Sequence, residues 1–135
     1  LVIYGKAPVA EALKKLAPQF GWATEIANED SEPNISGALV VTVVATQGNK
    51  DLKALSAAIN SRPAFISFVG SKKKFSSLKA KLLKSGCAET DLRKVKAPAG
   101  LDIGAVTPEE ISLSILAELL QVRKNFRNGV YDKDS

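Results

Sequence analysis

The sequence contains no histidine and no methionine, one cysteine (Cys87) and one tryptophan, and only 6% of its residues are aromatic. Without histidine, and with a single thiol, it lacks the usual ligands of a transition-metal site and the usual general base. A zinc enzyme and a Ser-His-Asp hydrolase are therefore nearly excluded on composition. Cys87 cannot close an intrachain disulfide, which fits a reducing compartment, and no basic-flanked apolar leader is visible, so the expected location is the cytoplasm. Long apolar runs are also missing. The longest, Ala38 to Ala45, is interrupted by Thr42 and falls far short of the roughly 20 residues of a membrane span. No aromatic side chains alternate with the lysines to stack on bases, which argues against nucleic acid as a partner.

What is present is the composition of one ordinary globular domain: 135 residues, 45% hydrophobic and 24% charged, with a net charge of +5 concentrated between Lys72 and Lys96. The chain opens straight into the strand-like run Leu1-Val2-Ile3-Tyr4, consistent with a piece of a longer protein. Gly5 follows, and then apolar residues at helical spacing: Val9, Leu13, Leu16, Ala17 and Phe20. Gly21 is placed to end that helix, and Trp22 to Ala27 reads as a second strand. After a polar stretch, Ala38 to Ala45 is rich enough in valine to be a strand buried on both faces. Leu52, Leu55 and Ile59 mark a helix, Ala64 to Val69 a strand, and Phe75, Leu78 and Leu82 a helix stopping at Gly86. A short helix or turn around Glu89 to Lys94 and an extended Val95 to Pro98 come next. Thr107-Pro108-Glu109-Glu110 places threonine at the N-cap, proline at the first helical position and glutamate at N3, a capping box for a last helix with the stripe Ile111, Ile115, Leu116, Leu119 and Leu120. The division expected is a domain over 1–127 and a polar C-terminal tail over 128–135. This alternation predicts an α/β fold, a three-layer Rossmann-like domain with a mostly parallel sheet, whose ligands bind at the carboxyl ends of the strands.

Five segments at those ends are candidates. Gly5-Lys6-Ala7-Pro8 is a glycine turn into a helix N-terminus, the place where a phosphate or pyrophosphate can meet free amides, although a ligand-free turn has the same look. Asn28 and Glu29, with Asp30, stand where an acidic side chain would bind ribose hydroxyls; an exposed acidic loop is the alternative. Thr46 ends the central strand, and Asp51 nearby reads as a cap for the next helix. Gly70-Ser71-Lys72-Lys73-Lys74 puts three lysines at the unfavourable end of a helix dipole, either to hold a phosphate through Gly70, Ser71 and Lys72 or as a solvated basic face. Gly100 to Gly104 bracket Asp102 in a loop that could approach a ligand or simply connect two elements. Weight falls on the last two segments, with the Gly5 turn locating the cleft. Cys87 reads as a structural thiol, and neither a catalytic residue nor a metal ligand is assigned.

The run Phe68-Val69-Gly70-Ser71-Lys72-Lys73-Lys74, together with Gly100-Leu101-Asp102-Ile103-Gly104, Thr107-Pro108-Glu109-Glu110-Ile111 and Ser114-Ile115-Leu116-Ala117-Glu118, resembles the C-terminal Rossmann domain of the XdhC/CoxI family over nearly the whole chain. The chain departs from that pattern at Ala7, where the family has a second glycine, at Asn28 in place of aspartate, and at Gln47 in place of a histidine. The resemblance implies an accessory protein for molybdenum hydroxylases such as xanthine dehydrogenase or carbon monoxide dehydrogenase. It would bind molybdenum cofactor (molybdopterin), or a nucleotide such as NAD(P), during maturation. Its partners would be the hydroxylase apoenzyme and the phosphorylated cofactor, with a homodimer left open, and binding without turnover is expected. The rival readings are an NAD(P)-dependent oxidoreductase and a protein-interaction module that binds no cofactor.

Overall fold

The computed structural model describes residues 1–48 and 50–129. Five strands, β1 (Val2–Tyr4), β2 (Glu25–Ala27), β3 (Val41–Val44), β4 (Phe65–Phe68) and β5 (Val95–Lys96), form one sheet in the order β2-β1-β3-β4-β5. All four pairings are parallel. Parallel neighbours need crossovers, and helices supply them: α1 (Pro8–Leu16) before β2, α2 (Asp51–Asn60) before β4, and α3 (Lys72–Lys84) with α4 (Glu89–Arg93) before β5. The final helix, α5 (Pro108–Arg127), packs beside α1.

Two apolar cores confirm the three layers. On one face of the sheet, Ile3, Val41 and Val43 meet Val9 and Leu13 of α1 and Ile115, Leu116 and Leu119 of α5. On the other, Tyr4, Val44, Ile66 and Phe68 meet Ala54, Leu55 and Ala58 of α2 and Leu78 and Leu82 of α3. Every residue of β1 and β3 is buried, because both strands are covered on both faces. The chain leaves β1 for the edge at β2 and returns across it to β3, so the direction of winding reverses between β1 and β3. At such a reversal the loops above two adjacent strands diverge and leave a crevice.

Several boundaries differ from the sequence expectation. The strand expected over Ala38 to Ala45 is regular only over Val41–Val44, since β1 offers just three residues for pairing, Val2 to Thr42 through Tyr4 to Val44. The second strand is Glu25–Ala27 rather than Trp22 to Ala27. Trp22 is buried instead, with the Arg123 guanidinium 4.8 Å from its ring centroid. Helix α1 ends at Leu16, and Pro18 lies in a separate 3₁₀ turn, Ala17–Phe20, closed by Gly21 in the left-handed region at φ 82°. Phe20 and Leu120, counted above among the buried stripes, are 42% and 40% exposed. In α5 the sheet-facing surface also takes in Ser112, Ser114 and Glu118. Its capping box is formed: Glu110 N–H donates to Thr107 Oγ1 at 3.1 Å, and Thr107 N–H donates to Glu110 Oε1 at 3.2 Å. Among the described residues no helix is long and apolar enough to cross a membrane. Of the polar tail expected over 128–135, residues 130–135 lie outside the described residues.

Candidate functional site

Gly5 leaves β1 at φ 112°, a conformation that disfavours side chains, and a Cβ there would overlap the carbonyl oxygen of Ala45 at the end of β3. Glycine is therefore dictated by the contact between two strand ends. Ala7 then holds the N-cap position of α1 with extended backbone, its N–H donating at 3.4 Å to Ala45 O, and Pro8 enters the helix without an N–H to satisfy. Among the described residues no side chain caps this helix. Its N-cap residue, Ala7, lines a cleft of about 580 Å³ above β1, β2 and β3, within the size range of small-molecule sites. Gly5, Lys6 and Ala7 form one wall, Asn28, Glu29 and Asp30 the second, and Thr46, Gln47 and Lys50 the third.

The second wall is ordered from within. Asn28 Oδ1 accepts from Asp30 N at 2.8 Å, so the side chain standing in the acidic position shapes its own turn. Lys53 Nζ lies 2.8 Å from Asp30 Oδ1, and this hydrogen-bonded ammonium holds the Asp30 carboxyl below the usual carboxylate range. Both partners are largely exposed, so the pair orients the loop more than it stabilises the fold. Glu25 accepts from Asn34 N at 3.0 Å and Ile35 N at 2.7 Å, anchoring the next part of the same loop. Glu29, half-buried, makes no side-chain hydrogen bond among the described residues. The third wall is built on left-handed backbone at Gln47 (φ 56°) and Lys50 (φ 66°). Buried Asp51 secures it by accepting from Thr46 Oγ1 and, at 3.1 Å, from Gly48 N. Asp51 is thus the first residue of α2 rather than its N-cap, which is Lys50.

The structure brings Gly5, Lys6, Ala7, Asn28, Glu29 and Thr46 together around this cleft, with Pro8 directly behind them. The other candidates are placed elsewhere. Ser71 caps α3, accepting from Lys74 N at 3.1 Å, and a Cβ on Gly70 would overlap the ring of Phe68. Lys74 meets the Asp51 carboxylate at 3.4 Å, so one of the three lysines finds its anion inside the fold, while Lys72 and Lys73 are exposed. Gly100 sits at φ 93° against α5, where a Cβ would overlap Ser114 Oγ. Its N–H donates to Glu118 Oε1 at 2.9 Å and its carbonyl accepts from Lys96 Nζ at 2.6 Å. Asp102 is exposed on the loop that follows. None of Gly70, Ser71, Lys72, Gly100 and Asp102 lines the cleft.

Sequence reasoning missed two features. The pairing of buried Glu118 with half-exposed Lys96, 2.5 Å apart, had one visible signal: a carboxylate in register with the apolar stripe of α5. Lys50 as a cleft cation had none, because its position depends on a left-handed loop. Cys87 is half-buried, and burial followed by the nearby Asp91 charge pushes its thiol pKa up, which favours the protonated form.

A family model for the XdhC Rossmann domain matches residues 1–119. The uncharacterised protein YqeB of Escherichia coli K12 is 37% identical over 93 residues, covering 69% of this chain and 17% of YqeB. PaoD of the same organism, a molybdenum cofactor insertion chaperone, is 27% identical over 126 residues, covering 91% of this chain and 40% of PaoD. A crystal structure described as a xanthine dehydrogenase from Bacillus halodurans superposes with a TM-score of 0.69 at 21% identity, over 92% of this chain and 42% of that one. That likeness is one of fold. The chain spans less than half the length of each of these three proteins.

Proposed function

Because the chain belongs to the XdhC Rossmann domain family, we propose that it forms the cofactor-handling part of an accessory protein for molybdenum hydroxylases of the xanthine dehydrogenase or carbon monoxide dehydrogenase type. In this reading residues 1–127 are the binding domain, acting in the cytoplasm, and the apoenzyme of the hydroxylase is the partner. The cleft above β1, β2 and β3 takes a phosphorylated molybdenum cofactor or a nucleotide. One observation carries this: Ala7, the N-cap residue of α1, lines the cleft, and among the described residues no side chain caps that helix. Helices α3 and α5 are already served at their N-termini, by Ser71 and Thr107, while α2, also without a side-chain cap, carries Asp51 in its own first turn. An anion over α1 would satisfy orphan amides and lie along the favourable direction of the helix dipole.

The residues present suit such a group. Val9 and Ala10 N–H, at the start of α1, would donate to phosphate oxygens, with the ammonium groups of Lys6 and Lys50 balancing the charge. Glu29 would accept from hydroxyls at the second wall. Asp51 would keep the third wall in place through Thr46 and Gly48. The cofactor supplies redox chemistry, exercised in the recipient enzyme. This chain, without a histidine to move protons, supplies binding and orientation. The similarity to PaoD, an insertion chaperone by name, supports the same assignment.

Calorimetric titration with NAD, NADP, free molybdopterin and nucleotide-linked molybdopterin tests the reading. Binding of at least one is expected. Lys6→Ala should weaken it about tenfold or more, as expected for a charge-assisted contact, while Lys72→Ala should leave it unchanged. Absence of affinity for all four ligands refutes the proposal.

A further inference from the structure

The excess of positive charge on this chain comes from one segment of it. Residues 71–96 carry nine lysines and arginines against two carboxylates, whereas the other 109 residues carry ten against twelve. The whole basic excess therefore belongs to α3, α4 and the residues between them. Helix α3 alone has six lysines and no acidic residue. Phe75, Leu78 and Leu82 fix its inward side, leaving Lys72, Lys73, Lys81 and Lys84 exposed, and Arg93 and Lys94 extend the exposed charge past the end of α4. Within the segment, Lys74 pairs with Asp51, Lys79 with Glu89 and Lys96 with Glu118. The six exposed cations have no carboxylate within 4.0 Å among the described residues. Lys72 and Lys73 also stand in the first turn, where the helix dipole opposes a positive charge. Local stability disfavours this arrangement, and an acidic surface laid against it would reverse the sign of that interaction.

We infer that the outer face of α3 and α4 is the docking surface for an acidic patch on a protein partner, which on the reading above is the client hydroxylase. Three features select a protein. Among the described residues the face has no exposed aromatic ring for a base to stack on, since Phe75 is turned inward against Phe68 with ring centroids 5.9 Å apart. Its large apolar content is a single exposed leucine, Leu83, too little to enter a bilayer; Ser76, Ser77 and Ala80 lie between the lysines. Those small residues leave the ammonium groups standing clear, as suits the steering of an oppositely charged protein. The face also begins beside the cleft: Lys74, on the first turn of α3, contacts Asp51, which holds the third cleft wall. A partner docked here would lie next to the mouth through which a cofactor passes.

The test uses the full-length protein and cofactor-free xanthine dehydrogenase and carbon monoxide dehydrogenase from the same organism, with association rates measured at low and high salt. A Lys73→Glu/Lys84→Glu/Arg93→Glu variant should associate at least about tenfold more slowly and lose most of the salt dependence. The milder Lys73→Gln/Lys84→Gln/Arg93→Gln variant should fall between that and the wild type. Lys14→Glu/Lys15→Glu, on the exposed side of α1, should behave as wild type. Wild-type rates in both α3–α4 variants overturn the inference while leaving the accessory role intact. Failure of the wild-type protein to bind either apoenzyme overturns the accessory reading and the inference together. Tighter binding to duplex DNA or to phosphatidylserine vesicles than to the apoenzymes overturns the choice of partner.

Discussion

Removing the Glu118 carboxylate is the most informative perturbation of the fold, because it separates a hydrogen bond from an ion pair at one atom group. Glu118 projects from the middle of α5 with a side chain 8% exposed, accepts from Gly100 N at 2.9 Å and lies 2.5 Å from Lys96 Nζ. Lys96 donates in addition to Pro98 O at 3.0 Å and Gly100 O at 2.6 Å, so β5, the loop after it and α5 are tied at one point. In Glu118→Ala the Gly100 N–H is buried without an acceptor, which costs about 1 to 3 kcal/mol. A fully buried pair losing one partner would cost about 3 to 5 kcal/mol, but Lys96 is 42% exposed and its ammonium can turn to water. Discounting for that screening leaves about 1 kcal/mol for the ion pair, and a total of about 2 to 4 kcal/mol. For a domain of this size each kcal/mol moves the melting temperature by about 3 to 4 °C, so a drop of roughly 6 to 16 °C is expected. Glu118→Gln keeps an acceptor for Gly100 and should lose about half as much or less. Thermal and urea unfolding followed by circular dichroism, with Lys96→Met closing a double-mutant cycle, measure each part. If Glu118→Ala unfolds within about 0.5 kcal/mol of wild type, the tie between β5 and α5 does not carry the load assigned to it.

Two further outcomes follow from the geometry. Gly5→Ala forces a side chain into positive φ and against the Ala45 carbonyl, so strain and the displaced β1–β3 contact should together remove about 3 kcal/mol or more in a urea titration; stability unchanged from wild type would show that the turn relaxes freely. Glu110 accepts from Val106 N and then Thr107 N, and these bonds lower its pKa. Its contribution is therefore present above the ordinary glutamate value of about 4.3 and lost as pH falls through the lower folded value. Melting temperatures between pH 5 and 3 should fall less steeply in Glu110→Gln, and equal slopes in the two proteins refute the assignment.

What was legible in the sequence is what local rules govern. The Thr107–Glu110 box is fixed within a few residues, and the structure forms it; glycine at position 5 marks a tight turn, although what forbids a side chain there is Ala45, forty residues on. Weighting the site toward Gly70–Ser71 and Gly100–Gly104 rested on glycine as a sign of ligand approach. In the fold those glycines make room for the protein itself, Gly70 for Phe68 and Gly100 for Ser114. A sequence records that a position tolerates no Cβ, and it does not say what occupies the space.

The alternation of valine-rich runs with amphipathic segments was enough to determine a parallel sheet between two helical layers, because burial on both faces and the crossover requirement are local in origin. The strand order β2-β1-β3-β4-β5 was decided only in three dimensions, by which edges paired, and with it the position of the cleft at the reversal between β1 and β3. The meeting of Lys96 with Glu118 and of Lys74 with Asp51 was likewise tertiary. Such pairs join residues from separate elements, and no periodicity within one element can announce them.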